Sequence, residues 1–155
     1  MQLQRIAPCL WFDDNAEEAV ALYTSIFPNS RVTKMSRYSE AGPGKKGSVM
    51  MIAFELDGVG FQALNGGPIF KFSEAISLSI SCADQAEVDH YWDGLVAGGT
   101  PGRCGWLKDR FGLSWQVVPR PIERIMSGAG AGRAMQAMMG MSKLDIAALE
   151  RAAAG

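Results

Sequence analysis

The sequence contains few of the residues that build metal centres and covalent cross-links, with 3 cysteines and 1 histidine among 155 residues. Cys9, Cys82 and Cys104 are odd in number, lie far apart and lack CxxC spacing. This arrangement argues against a disulfide framework and against a thiolate metal site. We therefore expect reduced, partly buried thiols.

The sequence also lacks a strong charge of one sign and a long apolar run. Fifteen basic residues nearly balance 16 acidic ones, and no cluster of lysine and arginine stands out. The electrostatic footprint of a nucleic-acid-binding protein is therefore missing. The apolar opening, residues 1–12, contains a charge, is too short to span a membrane and lacks the cleavage region of a signal peptide. We expect a cytoplasmic protein with neither nucleic acid nor a membrane as a partner.

A first internal repeat marks the starts of two helices. Asn15 and Asp84 each stand three residues before a glutamate, Glu18 and Glu87, which is typical of a helix N-terminus. Apolar residues follow at helical spacing in both places. With 48% hydrophobic residues, the chain is rich enough in apolar side chains to form one domain over residues 1–155.

A second repeat marks the last strand of each half. Residues 58–64 (GVGFQAL) match residues 112–118 (GLSWQVV) as glycine, apolar, small, aromatic, glutamine, apolar, apolar. Other strand candidates precede these segments, at residues 31–38, 48–57 and 100–109. The sequence therefore predicts an α+β fold of two tandem βαβββ modules followed by a helical tail. The predicted boundaries are 1–68 for the first module, 75–120 for the second and 121–155 for the tail.

Two such units in tandem resemble the vicinal oxygen chelate superfamily, which includes glyoxalase I, dihydroxybiphenyl and other extradiol dioxygenases and bleomycin-resistance proteins. Four segments are similar to its PhnB-like branch, whose members are often labelled as a 3-demethylubiquinone-9 3-methyltransferase domain: PCLWFDDNAEEAVALYTSIFPNS, FQALNGGPIFKFSEAISLSISC, EVDHYW and CGWLKDRFGLSWQVVP. We extend the resemblance over about residues 4–155. It implies a glyoxalase-like fold, in which the modules form a curved mixed sheet around a cleft for a small molecule.

Strand periodicity predicts which side chains face that cleft. Side chains alternate along a strand, and in residues 76–82 the apolar positions share one face while the serines share the other. The same alternation turns Gln62 and Gln116 away from the helices. We predict a mostly neutral, hydrogen-bonding ligand cleft between the two halves. Its predicted lining residues are Trp11, Gln62, Ser77, Ser79, Trp106 and Gln116.

In the metal-dependent relatives, the resemblance implies four metal ligands, which align with Ala7, Gln62, Ser77 and Gln116. Alanine has no donor atom, serine is a poor ligand for a divalent transition ion, and glutamine is weaker than glutamate or histidine. We therefore expect no metal at these positions. The single histidine, His90, lies on the second predicted helix and is expected to be a surface residue.

The label of methyltransferase would call for a glycine-rich turn between a strand and a helix to hold S-adenosylmethionine. The segment 128–132 (GAGAG) instead follows a helix-like stretch, so we interpret it as a flexible joint and expect no cofactor. Lys108 and Asp109 are either acid, base or anion contacts at the mouth of the cleft or a turn with solvated charges. A nucleophilic role for Cys9 or Cys104 lacks a histidine base.

Quaternary structure and activity are predicted only in outline. The tail carries a methionine-rich apolar surface, and a duplicated sheet leaves exposed edges, so we expect a homodimer formed through one of them. Two functions stay open. The first is a protein that binds a small, largely neutral molecule. The second is an enzyme of the superfamily, an isomerase, lyase or transferase, without the usual ligands.

Overall fold

The computed structural model describes residues 4–155. The chain divides into two compact units, Met1–Phe72 and Ser73–Gly155. The boundary lies between the two modules predicted from the sequence. The fold is mixed α+β with helices at the C-terminal end, as predicted.

The first unit contains one helix and four strands in the predicted order. They are β1 (Cys9–Phe12), α1 (Ala16–Ile26), β2 (Arg31–Arg37), β3 (Val49–Leu56) and β4 (Val59–Asn65). The strands form a sheet in the order β1-β4-β3-β2, in which β1 and β4 are parallel and the other pairs are antiparallel.

One face of this sheet is buried together with the apolar stripe of α1. The buried stripe of the helix consists of Ala16, Ala19, Val20, Tyr23 and Ile26, and the buried strand residues include Leu10, Phe12, Ile52, Phe54 and Ala63. Removal of each large apolar side chain from water contributes roughly 1.5–3 kcal/mol, which makes this layer the main source of stability of the unit.

The glycine-rich hairpin loop between β2 and β3 is folded against Tyr38. The hydroxyl of Tyr38 donates a hydrogen bond to the carbonyl oxygen of Asn65, at 2.6 Å. A Cβ added at Gly42 or Gly44 would overlap the Tyr38 ring, so both positions need glycine for this close approach. The loop is thus attached to the end of β4.

The second unit repeats the plan and adds three helices. It contains β5 (Leu78–Cys82), α2 (Gln85–Val96), β6 (Thr100–Pro101), β7 (Trp106–Lys108), β8 (Ser114–Pro119), α3 (Ile122–Ser127), α4 (Ala131–Met139) and α5 (Ile146–Ala154). The sheet order is β5-β8-β7-β6, with β5 and β8 parallel. Residues 100–109, predicted as strand, are two short strands, because Cys104 and Gly105 adopt left-handed backbone angles between them.

The tail has a small core of its own, formed by Ile125, Ala134, Leu144 and Leu149. The glycine segment between α3 and α4 was predicted to be a flexible joint, and the structure corrects this prediction at Gly130. Gly130 is buried, and a Cβ added there would overlap the backbone of Ala153 in α5. Glycine is needed here because two helices approach closely.

The two helix starts are capped in different ways. At α2, Asp84 accepts a hydrogen bond from the backbone N–H of Glu87 at 3.0 Å, as the predicted capping pattern requires. At α1, the side chain of Asn15 makes no cap hydrogen bond, and the backbone N–H of Ala16 donates instead to Oδ1 of Asn65, at 2.9 Å. The reason is local: Asp84 is extended, whereas Asn15 has a ψ of 26°.

Within residues 4–155, no helix is both long enough and apolar enough to cross a membrane.

Candidate functional site

Each sheet has a second face, whose side chains alternate along the strands with those buried under α1 or α2. We call this second face the helix-free face. In the first sheet, Gln62 on β4 lies beside Cys9 on β1 and Ala53 on β3, and Trp11 lies beside Leu64. The alternating neighbours Leu10 and Ala63 are buried. Trp11 and Gln62 therefore share the helix-free face of the first sheet, and both are half-buried.

Trp11 is held in a fixed orientation. Its Nε1–H donates a hydrogen bond to the carbonyl oxygen of Gly67 at 2.8 Å, and its ring meets Phe70 edge-on with the centroids 4.9 Å apart. A Cβ added at Gly66 would overlap the indole, so the glycine lets the chain pass close to the ring. The side chain thus presents a rigid aromatic surface with its polar atom already bonded.

The helix-free face of the second sheet is organised around Gln116 on β8. Gln116 lies beside Ser79 on β5 and beside Trp106 on β7. Its Nε2 donates a hydrogen bond to Oγ of Ser77, at 2.9 Å. The alternating neighbours Trp115 and Val117 are buried. The structure therefore brings all the predicted site residues of the second unit to one face.

The charge of Lys108, next to Trp106 and Gln116 on this face, is compensated. Lys108 on β7 shares the parity of Trp106 and forms an ion pair with Glu74. The hydrogen bond from Lys108 holds the pKa of the Glu74 carboxyl below its ordinary value. Lys108 is a partner for Glu74 and leaves the surface around Gln116 close to neutral.

Both sequence-based interpretations of Asp109 require its side chain to face solvent. In the structure it does not. Only 3% of the residue is exposed. Its Oδ1 accepts hydrogen bonds from the backbone N–H groups of Phe111 at 2.9 Å and Leu113 at 3.1 Å, and its Oδ2 accepts one from Nε1 of Trp115 at 2.9 Å. The carboxylate is a buried acceptor that closes the β7–β8 turn, so Asp109 is in a turn, as one interpretation had it, but its charge is not solvated.

The thiols and the histidine form no nucleophilic arrangement. Burial raises the pKa of the Cys82 thiol to about 11, which keeps it protonated near neutral pH. Desolvation also raises the pKa of Cys9, although Cys9 is exposed. His90 is exposed on α2, as predicted, with its ring edge-on to Tyr91. In the part of the chain that the structure describes, no three His, Cys, Asp or Glu side chains are grouped to hold a metal ion.

The positions that align with the metal ligands of the superfamily do not fit a divalent transition ion. Ala7 offers no side-chain donor, and Ser77 already accepts the hydrogen bond from Gln116. The remaining donors are the amide oxygens of Gln62 and Gln116, which carry no charge. A glycine-rich turn for S-adenosylmethionine is equally unsupported, since residues 128–130 connect two helices. The backbone of α5 also occupies the space beside Gly130.

Sequence reasoning missed Arg120, which directly follows β8 and lines a cavity together with the predicted residue Ser79. A cavity of about 430 Å³ is lined by Ser79, Ser81 and Arg120 together with residues of α3. Nε of Arg120 donates a weak hydrogen bond to Oγ of Ser81, at 3.4 Å. The signal available in the sequence was the arginine directly after the strand, on the side of the alternating serines.

A larger cavity, of about 660 Å³, lies where the tail meets the start of α2. Gln85 bridges the two: it donates to the carbonyl oxygen of Leu144 at 3.0 Å and accepts from the N–H of Ile146 at 2.9 Å. Lys143 adds ion pairs with Asp89 and Asp93 at 3.1 and 2.8 Å. The polar groups of this region mainly fasten the tail to the helix. No local sequence pattern indicated this cavity.

A family model described as 3-demethylubiquinone-9 3-methyltransferase matches residues 4–118. The match ends before the tail, so the resemblance does not extend to residue 155 as we expected. No curated protein matches the chain significantly.

Solved structures share the fold. The PhnB protein from Bacillus cereus is 35% identical over 75% of this chain and 99% of its own, with a TM-score of 0.69. A protein from Pseudomonas aeruginosa is 21% identical over 76% of this chain and 98% of its own, with a TM-score of 0.63. The fosfomycin resistance protein FosX from Listeria monocytogenes, solved with Mn(II) and sulfate, is 15% identical over 77% of this chain and 91% of its own, with a TM-score of 0.52. The last two similarities concern the fold alone.

Proposed function

Because the chain belongs to the 3-demethylubiquinone-9 3-methyltransferase family, in the PhnB-like branch of the vicinal oxygen chelate superfamily, we propose that it binds a small, mostly neutral molecule. The binding surface in this proposal is the helix-free face of the sheets. The contacting residues are Trp11, Gln62, Ser77, Ser79, Trp106 and Gln116.

The observation that carries the proposal is the hydrogen bond from Gln116 to Ser77. It orients a half-buried amide on a face flanked by Trp106 and Ser79, next to a lysine whose charge is already paired. A few oriented polar groups among aromatic surfaces are typical of small-molecule sites. The charge of Lys108 is paired there, and the nearest other charge is that of Arg120, which follows the end of β8 and contacts Ser81.

The two glutamines offer different chemistry to a ligand. The Nε2 of Gln116 donates one of its two N–H groups to Ser77, so its amide oxygen and its second N–H are left for a ligand. Gln62 makes no side-chain hydrogen bond to another residue within the described chain, so it offers both a donor and an acceptor. On either sheet, a ligand with a hydroxyl or N–H group and a planar ring suits the amide and the indole of that sheet, Gln62 with Trp11 or Gln116 with Trp106.

Binding, rather than catalysis, is the better supported function. The superfamily positions Ala7, Gln62, Ser77 and Gln116 form a donor set unsuited to a divalent metal. Asp109, the acid that the sequence suggested as a catalytic contact, is occupied as a structural acceptor. An enzyme that uses other groups is the alternative, and metal content and ligand turnover distinguish the two.

The binding proposal is tested by a thermal-shift screen of metabolites, quinones and antibiotics, followed by substitution of the glutamines. We expect Gln116→Ala and Gln62→Ala to weaken ligand binding at least about tenfold, equal to about 1.4 kcal/mol. The melting temperature without ligand should change by no more than about 2 °C. The control is Gln136→Ala, at an exposed position on α4. Unchanged binding with a large loss of stability would show that the glutamines are structural.

Metal content is the second test. Protein purified without chelator should contain far less than one divalent transition ion per chain, since the aligned positions lack adequate donors. Elemental analysis by mass spectrometry measures this directly. One equivalent of manganese, iron or zinc that is lost in the Gln62→Ala or Gln116→Ala variant would contradict the proposal and favour a metalloenzyme.

We also propose a cytoplasmic homodimer. The three cysteines are free, which suits a reducing compartment. Strand β2 is an edge strand exposed along nearly all its length, with Val32 and Met35 on its surface. An exposed edge with apolar side chains favours pairing with a second copy. The tail, with Met135 and Met139 exposed, is the other candidate interface.

A further inference from the structure

The sulfur atoms of Cys104 and Met139 meet where the tail reaches the β6–β7 turn, and a third sulfur-containing residue, Met135, lies on the same helix as Met139. We call Cys104, Met135 and Met139 the sulfur cluster. The Sγ of Cys104 lies 3.8 Å from the Sδ of Met139. Met135 stands one helical turn before Met139 on α4, and residues four apart share a helix face. None of these residues belongs to the surface proposed above for the small molecule.

The fold holds the thiol against the end of α4. Cys104 has a φ of 55°, in the left-handed region that non-glycine residues rarely adopt. Its N–H donates to the carbonyl oxygen of Met141 at 2.9 Å, and the N–H of Gly105 donates to that of Ser142 at 2.8 Å. These backbone hydrogen bonds fix the turn to the tail. The backbone therefore holds Cys104 beside the end of α4.

Packing does not account for Met135 and Met139. The nearby Met138 and Met141 pack against the tail core, which is the usual use of methionine. In contrast, Met135 is 44% exposed and Met139 is 53% exposed. Burial within the chain therefore does not account for these two thioethers, which are available either to the dimer contact considered above or to a ligand.

Thiol and thioether sulfurs are soft ligands that select Cu(I) and similar ions over zinc or magnesium. With metal–sulfur bonds of about 2.3 Å, two sulfurs 3.8 Å apart subtend about 110° at a bridging ion. That angle leaves room for a third ligand. We propose that Cys104 and Met139, with Met135 as the third ligand, bind one soft monovalent cation, Cu(I) or Ag(I).

Binding involves no change of oxidation state. The Cys104 thiol releases its proton to solvent, the thiolate bonds to the cation, and the charges of the two cancel. Two of the three ligands lie after residue 118, where the family match ends. The site is therefore an addition of this chain to the shared fold, and it is independent of the proposed function.

The test is Cu(I) binding in competition with a chromophoric Cu(I) chelator under anaerobic conditions. The parent protein carries Cys9→Ser, because Cys9 is an exposed thiol elsewhere. We expect one Cu(I) per chain, loss of binding in Cys104→Ser, and weakening of at least about tenfold in Met139→Leu, the lower range for loss of a supporting group at a metal site. Met35→Leu, equally exposed at 44% but in the first unit, should bind like the parent. Zinc in tenfold excess should not compete.

A second measurement needs no substitution of the ligands. Selenomethionine-labelled protein loaded with Cu(I) should show copper–selenium scattering in X-ray absorption, along with copper–sulfur scattering from the thiolate. Copper without selenium neighbours would overturn the proposal, as would a Cys104→Ser variant that binds like its parent. Melting temperatures without copper separate loss of the site from loss of the fold.

Discussion

Asp109 combines an ionisable side chain with almost complete burial, and its hydrogen bonds explain how both are tolerated. A buried carboxylate is costly unless several donors satisfy it. The backbone of the β7–β8 turn and the indole of Trp115 supply those donors. Trp115 is itself one of the largest fully buried side chains. One acidic residue thus fixes both a turn and a core aromatic side chain.

We predict that Asp109→Ala lowers the free energy of unfolding by roughly 2–4 kcal/mol, because the substitution leaves buried donors unsatisfied. Urea denaturation followed by tryptophan fluorescence measures the change. As a matched control, Asp93→Ala removes an acid whose ion pair with Lys143 is exposed, and should cost less than about 1 kcal/mol. A stable Asp109→Ala variant with altered ligand binding would instead assign this residue to the site.

Single residues were predictable where period-2 alternation governs them. The orientation of Gln62, Ser79 and Gln116 follows from strand parity, and the observed registers agree with it. The partners of Asp109 and Asn65 were not predictable, because their hydrogen bonds depend on turn geometry and on residues far apart in sequence. Parity gives the face of a side chain, whereas its partners follow from tertiary structure.

At the scale of elements, α1 depends on the sheet for its first turn. Asn65, at the end of β4, accepts from the N–H of Ala16 and donates to the carboxylate of Glu17 and to the carbonyl oxygen of Val49. This one amide links the helix to two strands. The residue that sequence analysis assigned as the cap, Asn15, makes no such bond.

We predict that Asn65→Ala lowers the free energy of unfolding by about 1–2 kcal/mol, the range for loss of a helix cap. Asn15→Ala should change it by less than about 0.5 kcal/mol, as an ordinary surface substitution does. Chemical denaturation of the two variants in parallel provides the comparison. The opposite ranking would restore Asn15 as the cap.

Most elements were predictable from apolar periodicity, but one strand region was not. The predicted strands at residues 31–38 and 48–57 agree with β2 and β3 to within one residue at each boundary. Residues 100–109 are interrupted, because the turn at Cys104 and Gly105 bonds to the tail. Local propensity contains no information about a segment that docks some 40 residues later.

At the scale of the molecule, the internal duplication made the architecture predictable. Two repeats in sequence fixed two βαβββ units, and both are present. The packing of the tail was not predictable in the same way, because its core and its contacts with Gln85 have no counterpart in the first unit. The duplicated part coincides with the family match, and the unduplicated part lies outside it.

We predict that the protein is a homodimer in solution at tens of micromolar. Size-exclusion chromatography with light scattering should give twice the chain mass of 16.7 kDa. A charge on the exposed strand β2, as in Met35→Glu, should shift the equilibrium towards monomer if that edge forms the contact. Met135→Glu tests the tail in the same way. A monomer at all concentrations would remove the prediction.

The different caps of the two helices have a consequence for the folding order. The cap of α2 lies within the helix start itself, at Asp84 and Glu87, so this turn can form as soon as its own residues are together. The cap of α1 is the side chain of Asn65, which lies 49 residues after Ala16 in the chain. Closing such a loop lowers the conformational entropy of the chain before any contact between its ends can compensate for the loss. Two copies of one plan therefore differ in timing: the second helix starts locally, whereas the first is completed only when its last strand joins the sheet.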